Sequence, residues 1–185
     1  MNNSINFKGT FVRTATVKLS DNLNLYKNHN ISMVELNPHS DNDMMALNAV
    51  AYSWDHRRTF ADDIASNMAD YYIENRPCYQ KKFYVLTEQK QDFDDLDAMD
   101  ILATAQVSKY NETVMLDFLQ VDPDYTMNRA FSRYKKIGTA FINSLKAIFP
   151  DKEIILKPVE SAIEFYRTNG FEEFGRMMRF CPIKK

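Results

Sequence analysis

Long apolar runs are the first thing this chain lacks. None of its 185 residues sits in an uninterrupted stretch of 18 apolar residues, so nothing reads as a membrane span. Met1 to Ser20 holds no continuous apolar core, which argues against a secretory leader. Cysteine is scarce: Cys78 and Cys181 are the only two, with no Cys-x-x-Cys pair and no histidine cluster. That removes the case for a structural zinc site and makes a cytoplasmic address the default. An excess of one charge is also missing. The formal net charge is -2, and bulk charge gives no case for a nucleic-acid partner. No internal repeat and no low-complexity linker breaks the chain. The expectation is a cytoplasmic protein with no bound metal, no membrane and no nucleic-acid partner, acting as a monomer or homodimer.

What is present is ordinary for a globular protein: 45% hydrophobic and 26% charged residues. The length suits one domain with a small extension. Charge is uneven, however. Residues 131–185 carry 11 Lys/Arg against 6 Asp/Glu, a net of +5, which leaves -7 for the rest. The acidic excess gathers in Asp92-Phe93-Asp94-Asp95-Leu96-Asp97, which reads as a solvated hairpin tip.

Periodicity gives the elements. Thr10 to Leu19 alternates and reads as a strand; Asp21 to Asn30 is Asn-rich and reads as a loop. Ile31 to Leu36 is a strand ended by Asn37-Pro38. Met44, Leu47, Ala51 and Trp54 fall at helical spacing, as do Phe60, Ile64, Met68 and Tyr71. Thr59 with Asp62 resembles a capping box, and Asn75-Arg76-Pro77 stops the second helix. The Met and aromatic stripe on both helices reads as core. Lys82 to Thr87 is a strand. Ile101 to Ser108 and Val114 to Val121 read as an antiparallel pair turned at Asn111-Glu112. Ile137, Phe141, Leu145 and Ile148 mark an amphipathic helix ending near Pro150. Glu153 to Leu156 is a short strand, Ser161 to Asn169 a short helix with Gly170 at its left-handed cap, and Phe171 to Phe180 a last strand. A helix between the Val114–Val121 and Ile154–Leu156 strands is a crossover that favours parallel pairing.

Two motifs stand out. The first is Leu116-Asp117-Phe118-Leu119-Gln120-Val121-Asp122-Pro123, followed by Arg133-Tyr134-Lys135-Lys136-Ile137-Gly138-Thr139-Ala140. The second is Ser161-Ala162-Ile163-Glu164-Phe165-Tyr166-Arg167-Thr168-Asn169-Gly170-Phe171. If Arg133, Lys135 and Lys136 begin a helix, they oppose its macrodipole by roughly 0.3–1 kcal/mol each. Such placement makes sense where an anion sits on free helix N–H groups, and Gly138 lets the backbone approach closely. Together the motifs resemble the cofactor-binding half of the GNAT acetyltransferase superfamily, over residues 100–175. The family's Gln/Arg-x-x-Gly-x-Gly/Ala pattern fits in two registers: Arg133-x-x-Lys136-x-Gly138, which is preferred, and Lys135-x-x-Gly138-x-Ala140. The first has Lys136 where the family has glycine. The second starts with lysine.

The resemblance implies an α/β fold: a GNAT-like mixed, partly parallel central sheet flanked by helices. Residues 31–185 would form the single domain, and residues 1–30 an N-terminal extension with an added strand. The implied activity is acetyl transfer from acetyl-CoA to an amine of a small molecule, peptide or protein. The alternative is a GNAT-fold module that binds acyl-CoA without turnover, as a sensor or interaction domain. Acetyl-CoA would lie where two parallel strands part, with its pantetheine arm along Phe118, Leu119 and Val121. Its phosphates would meet Arg133, Lys135, Lys136, Ile137, Gly138 and Thr139, with Ser161 touching the cofactor. Tyr166 occupies the position of the tyrosine that serves the departing thiolate in many members. The general base is open: Lys157 stands where some members carry glutamate, leaving Asp117 or a water chain. Residues 123–133 would form a turn or lid beside the cofactor. Trp54, His56, Arg57 and Arg58 would border the acceptor.

Overall fold

The alternation of Ile101–Lys109 marks the middle of a mixed sheet that has nine strands among the described residues. A computed structural model of the protein describes residues 9–21, 25–54, 60–75, 77–127 and 132–182. Its elements in chain order are β1 (Thr10–Ser20), β2 (Tyr26–Leu36), α1 (Asp41–Trp54), α2 (Ala61–Ile73), β3 (Lys81–Thr87), β4 (Ile101–Lys109) and β5 (Thr113–Val121). They continue with α3 (Pro123–Met127), β6 (Tyr134–Lys135), α4 (Ile137–Ile148), β7 (Glu153–Leu156), α5 (Ile163–Thr168), β8 (Glu172–Phe174) and β9 (Met177–Phe180). The sheet order is β6-β1-β2-β3-β4-β5-β7-β9-β8. Among the described residues only β5 and β7 pair in parallel, and α4 is the crossover between them.

Apolar side chains cover both faces. Successive strand residues project to opposite sides. Phe83 and Val85 meet α1 and α2, together with Leu47, Val50, Ile64 and Met68. Tyr84 and Leu86 join Phe141, Leu145 and the rest of the α4 layer. Most of the helical stripes read from the sequence is thus core: Met44, Leu47, Ala51, Trp54, Ile64 and Met68 are buried and Tyr71 is half-buried against them, while Phe60, just before α2, is exposed. Fully burying one such side chain is worth roughly 1.5–3 kcal/mol. β4 is covered on both sides and buried from Ile101 to Ser108. Its even-numbered residues bring Thr104, Gln106 and Ser108 under the α1/α2 layer.

Four local expectations change. β2 starts at Tyr26, so the Asn-rich residues 26–30 are strand: they pair with Thr16 to Ser20 of β1. Main-chain pairing overrides their low strand propensity. Arg133 to Lys136 does not begin the helix. Tyr134–Lys135 is a two-residue strand on the edge of β1, and α4 opens at Ile137 after Lys136. The last strand is a hairpin, β8 and β9, turned at Gly175 with φ 64°, a backbone shape that glycine adopts freely. The acidic run between β3 and β4 is partly folded: Leu96 is buried, Phe93 stacks on Phe11 at 5.7 Å, and Asp97 Oδ1 accepts from the Met99 amide at 2.9 Å. Thr59 lies outside the described residues; the residue before α2 is Phe60, which makes no side-chain cap bond.

One irregularity positions the site. β5 follows β4 in register until Val107↔Leu116, then resumes at Gln106↔Phe118, leaving Asp117 as the extra residue of a β-bulge. Val114 and Leu116 face the α4 layer before it, and Leu119 and Val121 face the same layer after it. Phe118 packs instead among the α1/α2 residues.

Candidate functional site

β5 and β7 pair from Thr113↔Glu153 to Leu116↔Leu156, and there β7 ends. β5 runs on to Val121 with no strand on that edge among the described residues. Main-chain N–H and C=O groups on an uncovered edge are ready to pair with an extended ligand. A cleft of about 700 Å³ opens beside it, lined by Leu119 and Val121 from β5, by the start of α4 and by α5.

The start of α4 forms one wall. Lys136 precedes the helix with φ 65° and ψ 22°, left-handed, and its side chain makes no cap bond. The first turn of a helix has N–H groups with no partner inside the helix. Ile137, Gly138 and Thr139 carry them here, and all three line the cleft. With the helix dipole they favour negative charge at that end of the cleft. Gly138 has a second role: a Cβ there would stand 3.0 Å from Cζ of Phe165, so its bareness lets α5 close on α4.

The opposite wall holds Ser161 and Tyr166. Tyr166 packs edge-on between Phe165 (5.0 Å) and Phe171 (5.6 Å). Burial pushes its phenol up to about 12, so the ring is a neutral O–H at physiological pH, a donor rather than a base.

Nine of the eleven sequence-derived site residues thus meet in one cleft: Leu119, Val121, Lys135, Lys136, Ile137, Gly138, Thr139, Ser161 and Tyr166. Phe118 turns to the α1/α2 side, its ring 5.5 Å from that of Phe60. Arg133 points elsewhere, 3.7 Å from Glu88 and over the Tyr134 ring at 5.2 Å. Asp117 Oδ2 accepts from Ser108 Oγ (2.6 Å) and Gln106 Nε2 (3.0 Å), where the strands part. Lys157 is exposed just past β7. Trp54 is core, while His56, Arg57 and Arg58 lie outside the described residues, as do 128–131 of the 123–133 segment. Within that segment, Tyr125 and Thr126 line the cleft.

Reading the sequence missed Phe60 and Gln120. Both line the cleft, and the Phe60 amide donates to Gln120 Oε1 at 3.3 Å. Gln120 could have been found by alternation, once the bulge was known. Phe60 gives no local signal.

No family model and no curated protein matches this sequence. Solved structures do. One is YhhK from E. coli, assigned as an N-acetyltransferase and bound to coenzyme A, 15% identical, TM-score 0.52, covering 82% of this chain and 98% of that one. Another is an acetyltransferase-type protein of the GNAT family from Desulfovibrio desulfuricans, 12% identical, TM-score 0.51, covering 81% and 98%. At these identities the likeness is one of fold, and it spans nearly the whole of each neighbour. The mixed sheet, its parted parallel pair and its flanking helices are those of the GNAT fold, and this chain has it.

Proposed function

We propose that this protein is an acetyl-CoA-dependent N-acetyltransferase acting by direct transfer to an amine. The observation that carries the reading is the cleft: an uncovered β5 edge leads from the parting of β5 and β7 to the open N-terminus of α4. The residues fit the cofactor's parts. The β5 edge suits the amides of the pantetheine arm. Ile137, Gly138 and Thr139, with Lys135 and Lys136, suit its phosphates. The E. coli neighbour of the same fold binds coenzyme A.

Acetyl-CoA supplies an acetyl group activated as a thioester. A main-chain N–H on the β5 edge polarises its carbonyl. The acceptor amine must shed a proton as its nitrogen bonds the acetyl carbon, and the sulfur must gain one as the carbon–sulfur bond breaks. Tyr166, protonated at physiological pH, donates a hydrogen bond toward that sulfur as negative charge develops on it, and the thiolate then takes its proton from solvent. Asp117, held by Ser108 and Gln106 at the parting, receives the amine's proton directly or through water.

Lys157, in place of a carboxylate, favours a second reading: a module that binds acyl-CoA without turnover. One experiment separates them. Acetyl-CoA affinity is measured by calorimetry, and CoA release is then followed over a panel of amines. An enzyme releases CoA above the hydrolysis background with at least one amine, and Tyr166→Phe lowers that rate about 10²-fold while leaving affinity within twofold. Tight binding with no release from any amine supports the module. No binding sinks both.

A further inference from the structure

The cleft is lined from both faces of the sheet, because β7 stops at Leu156 and β5 runs on beyond it. Toward the α4 layer its walls are Leu119, Val121, Ile137 and Gly138, where the parts of the cofactor find their matches. Phe118 and Gln120 alternate to the other face. There the Phe60 amide donates to Gln120 Oε1 at 3.3 Å, and the Phe60 ring lies 5.5 Å from that of Phe118. The Phe60 carbonyl accepts from the Ile64 amide at 3.0 Å, so the residue is held on both sides of its main chain. Gln120 is also tied at both ends, its Nε2 donating to the Val121 carbonyl at 2.6 Å. Yet the Phe60 ring, in the lining of the cleft, stays 36% exposed. A large apolar side chain fixed in a cleft and left uncovered offers burial to an apolar group of a ligand.

The charged residues that line the cleft are Lys135 and Lys136, at the start of α4, and Glu164, on α5, which Arg167 answers at 3.2 Å. A second ammonium on the acceptor would meet no unpaired carboxylate among them, and a charge buried without a partner is costly. We propose that Phe60 selects the acceptor: a primary amine carried on an apolar alkyl or aralkyl group, which lies against the Phe60 ring while its nitrogen reaches the thioester at the β5 edge. Gln120 is a positioning residue that fixes Phe60 through its amide. The inference rests on the acetyl-CoA reading above, and the step is that reading's own. The nitrogen bonds the acetyl carbon and gives up a proton, and CoA leaves as a thiolate that solvent protonates. Such an amine is offered both by a small molecule and by a peptide N-terminus whose first residue is apolar.

The test follows CoA release from acetyl-CoA with hexylamine, phenethylamine, phenylalanine amide, ethanolamine and putrescine, on the unaltered protein, Phe60→Ala, Phe60→Leu and Gln120→Ala. Calorimetry of each amine in the presence of CoA reads binding without turnover. The unaltered protein should favour the apolar amines over ethanolamine and putrescine by roughly tenfold or more in kcat/KM. Phe60→Ala should remove that preference, mainly through KM, with CoA affinity unchanged. Phe60→Leu should keep most of it, and Gln120→Ala should weaken it less than Phe60→Ala does. Phenylalanine amide ahead of phenethylamine points to a peptide N-terminus, and the reverse order to a small amine. Ethanolamine or putrescine turned over as well as the apolar amines overturns the proposal while the acetyl-CoA reading stands. So does an equal loss for every amine in Phe60→Ala, which is what a merely structural ring gives. CoA bound with no amine bound or turned over also overturns it, in favour of the module. Failure of the unaltered protein to bind CoA overturns the acetyl-CoA reading as well.

Discussion

Asp43 is a carboxyl that the fold keeps at a cost, and replacing it with asparagine should stabilise the protein only where that cost is present. The residue is fully buried in the first turn of α1. Loss of water pushes its carboxyl from 3.8 up to about 6, against hydrogen bonds from Asn37, Ser40 and Gly9 that pull it down, while Asp94 adds a smaller upward push. The Asn37 amide donates to Oδ2 at 2.7 Å. The folded chain therefore keeps a proton that the unfolded chain releases between pH 3.8 and about 6. Stability falls as pH rises through that window and stays reduced above it, by about 3 kcal/mol. Asp43→Asn carries no charge at any pH and keeps an oxygen for the Asn37 amide. Its extra N–H groups take back part of the gain, leaving about 1–3 kcal/mol at pH 7.5 and little at pH 4. For a chain of this size that is a rise of roughly 3–9 °C in melting temperature. Thermal melts at the two pH values check it. A change of equal size at pH 4 and pH 7.5, of either sign, would refute the argument from burial.

Two further substitutions probe the start of α4. Gly138→Ala puts a methyl group 3.0 Å from Cζ of Phe165, so the ring must shift. A loss of about 1–2 kcal/mol in denaturant melts, with weaker CoA binding, is expected, and an unchanged melt would show the contact to be slack. Lys136→Gly relieves a left-handed residue at φ 65°, which should stabilise the ligand-free fold by about 1 kcal/mol. It should also weaken CoA, since it removes a cation lining the cleft; calorimetry beside melts reads both, and tighter binding would contradict a phosphate at that end of the cleft.

Local pattern made some of this legible and long-range pairing hid the rest. The β4–β5 hairpin showed because its alternation is strong, and α4 because its apolar residues recur every three or four positions. The parallel β5–β7 pair followed from chain length alone: a helix between two strands leaves one handed way back to the sheet. β6 was hidden because a two-residue strand has no period, and its partner, β1, lies more than a hundred residues earlier. The early start of β2 was hidden for a like reason, its asparagines being held by main-chain bonds to β1. In the site, the motif told which residues gather at the cleft but not where each side chain turns. Arg133 sits two positions from Lys135, yet an ion pair with Glu88 draws it off while Lys135 lies over Tyr26. Phe165 beneath Gly138 is a contact between two helices, which no window of sequence contains.

The bulge at Asp117 makes β5 sensitive to length rather than to composition. Before it, residues 114 and 116 point to the α4 layer; after it, 119 and 121 do. Single substitutions at these sites change one contact each. Deleting Asp117 would only take the bulge out and leave each face as it is, whereas inserting one residue between Asp117 and Phe118 would reverse every side chain beyond it. Phe118 and Gln120 would exchange faces with Leu119 and Val121, carrying an amide into the apolar layer and aliphatic groups out of it. Insertions should therefore be excluded from these eight positions, while the hairpin turn at Asn111-Glu112, on the surface, is free to lengthen.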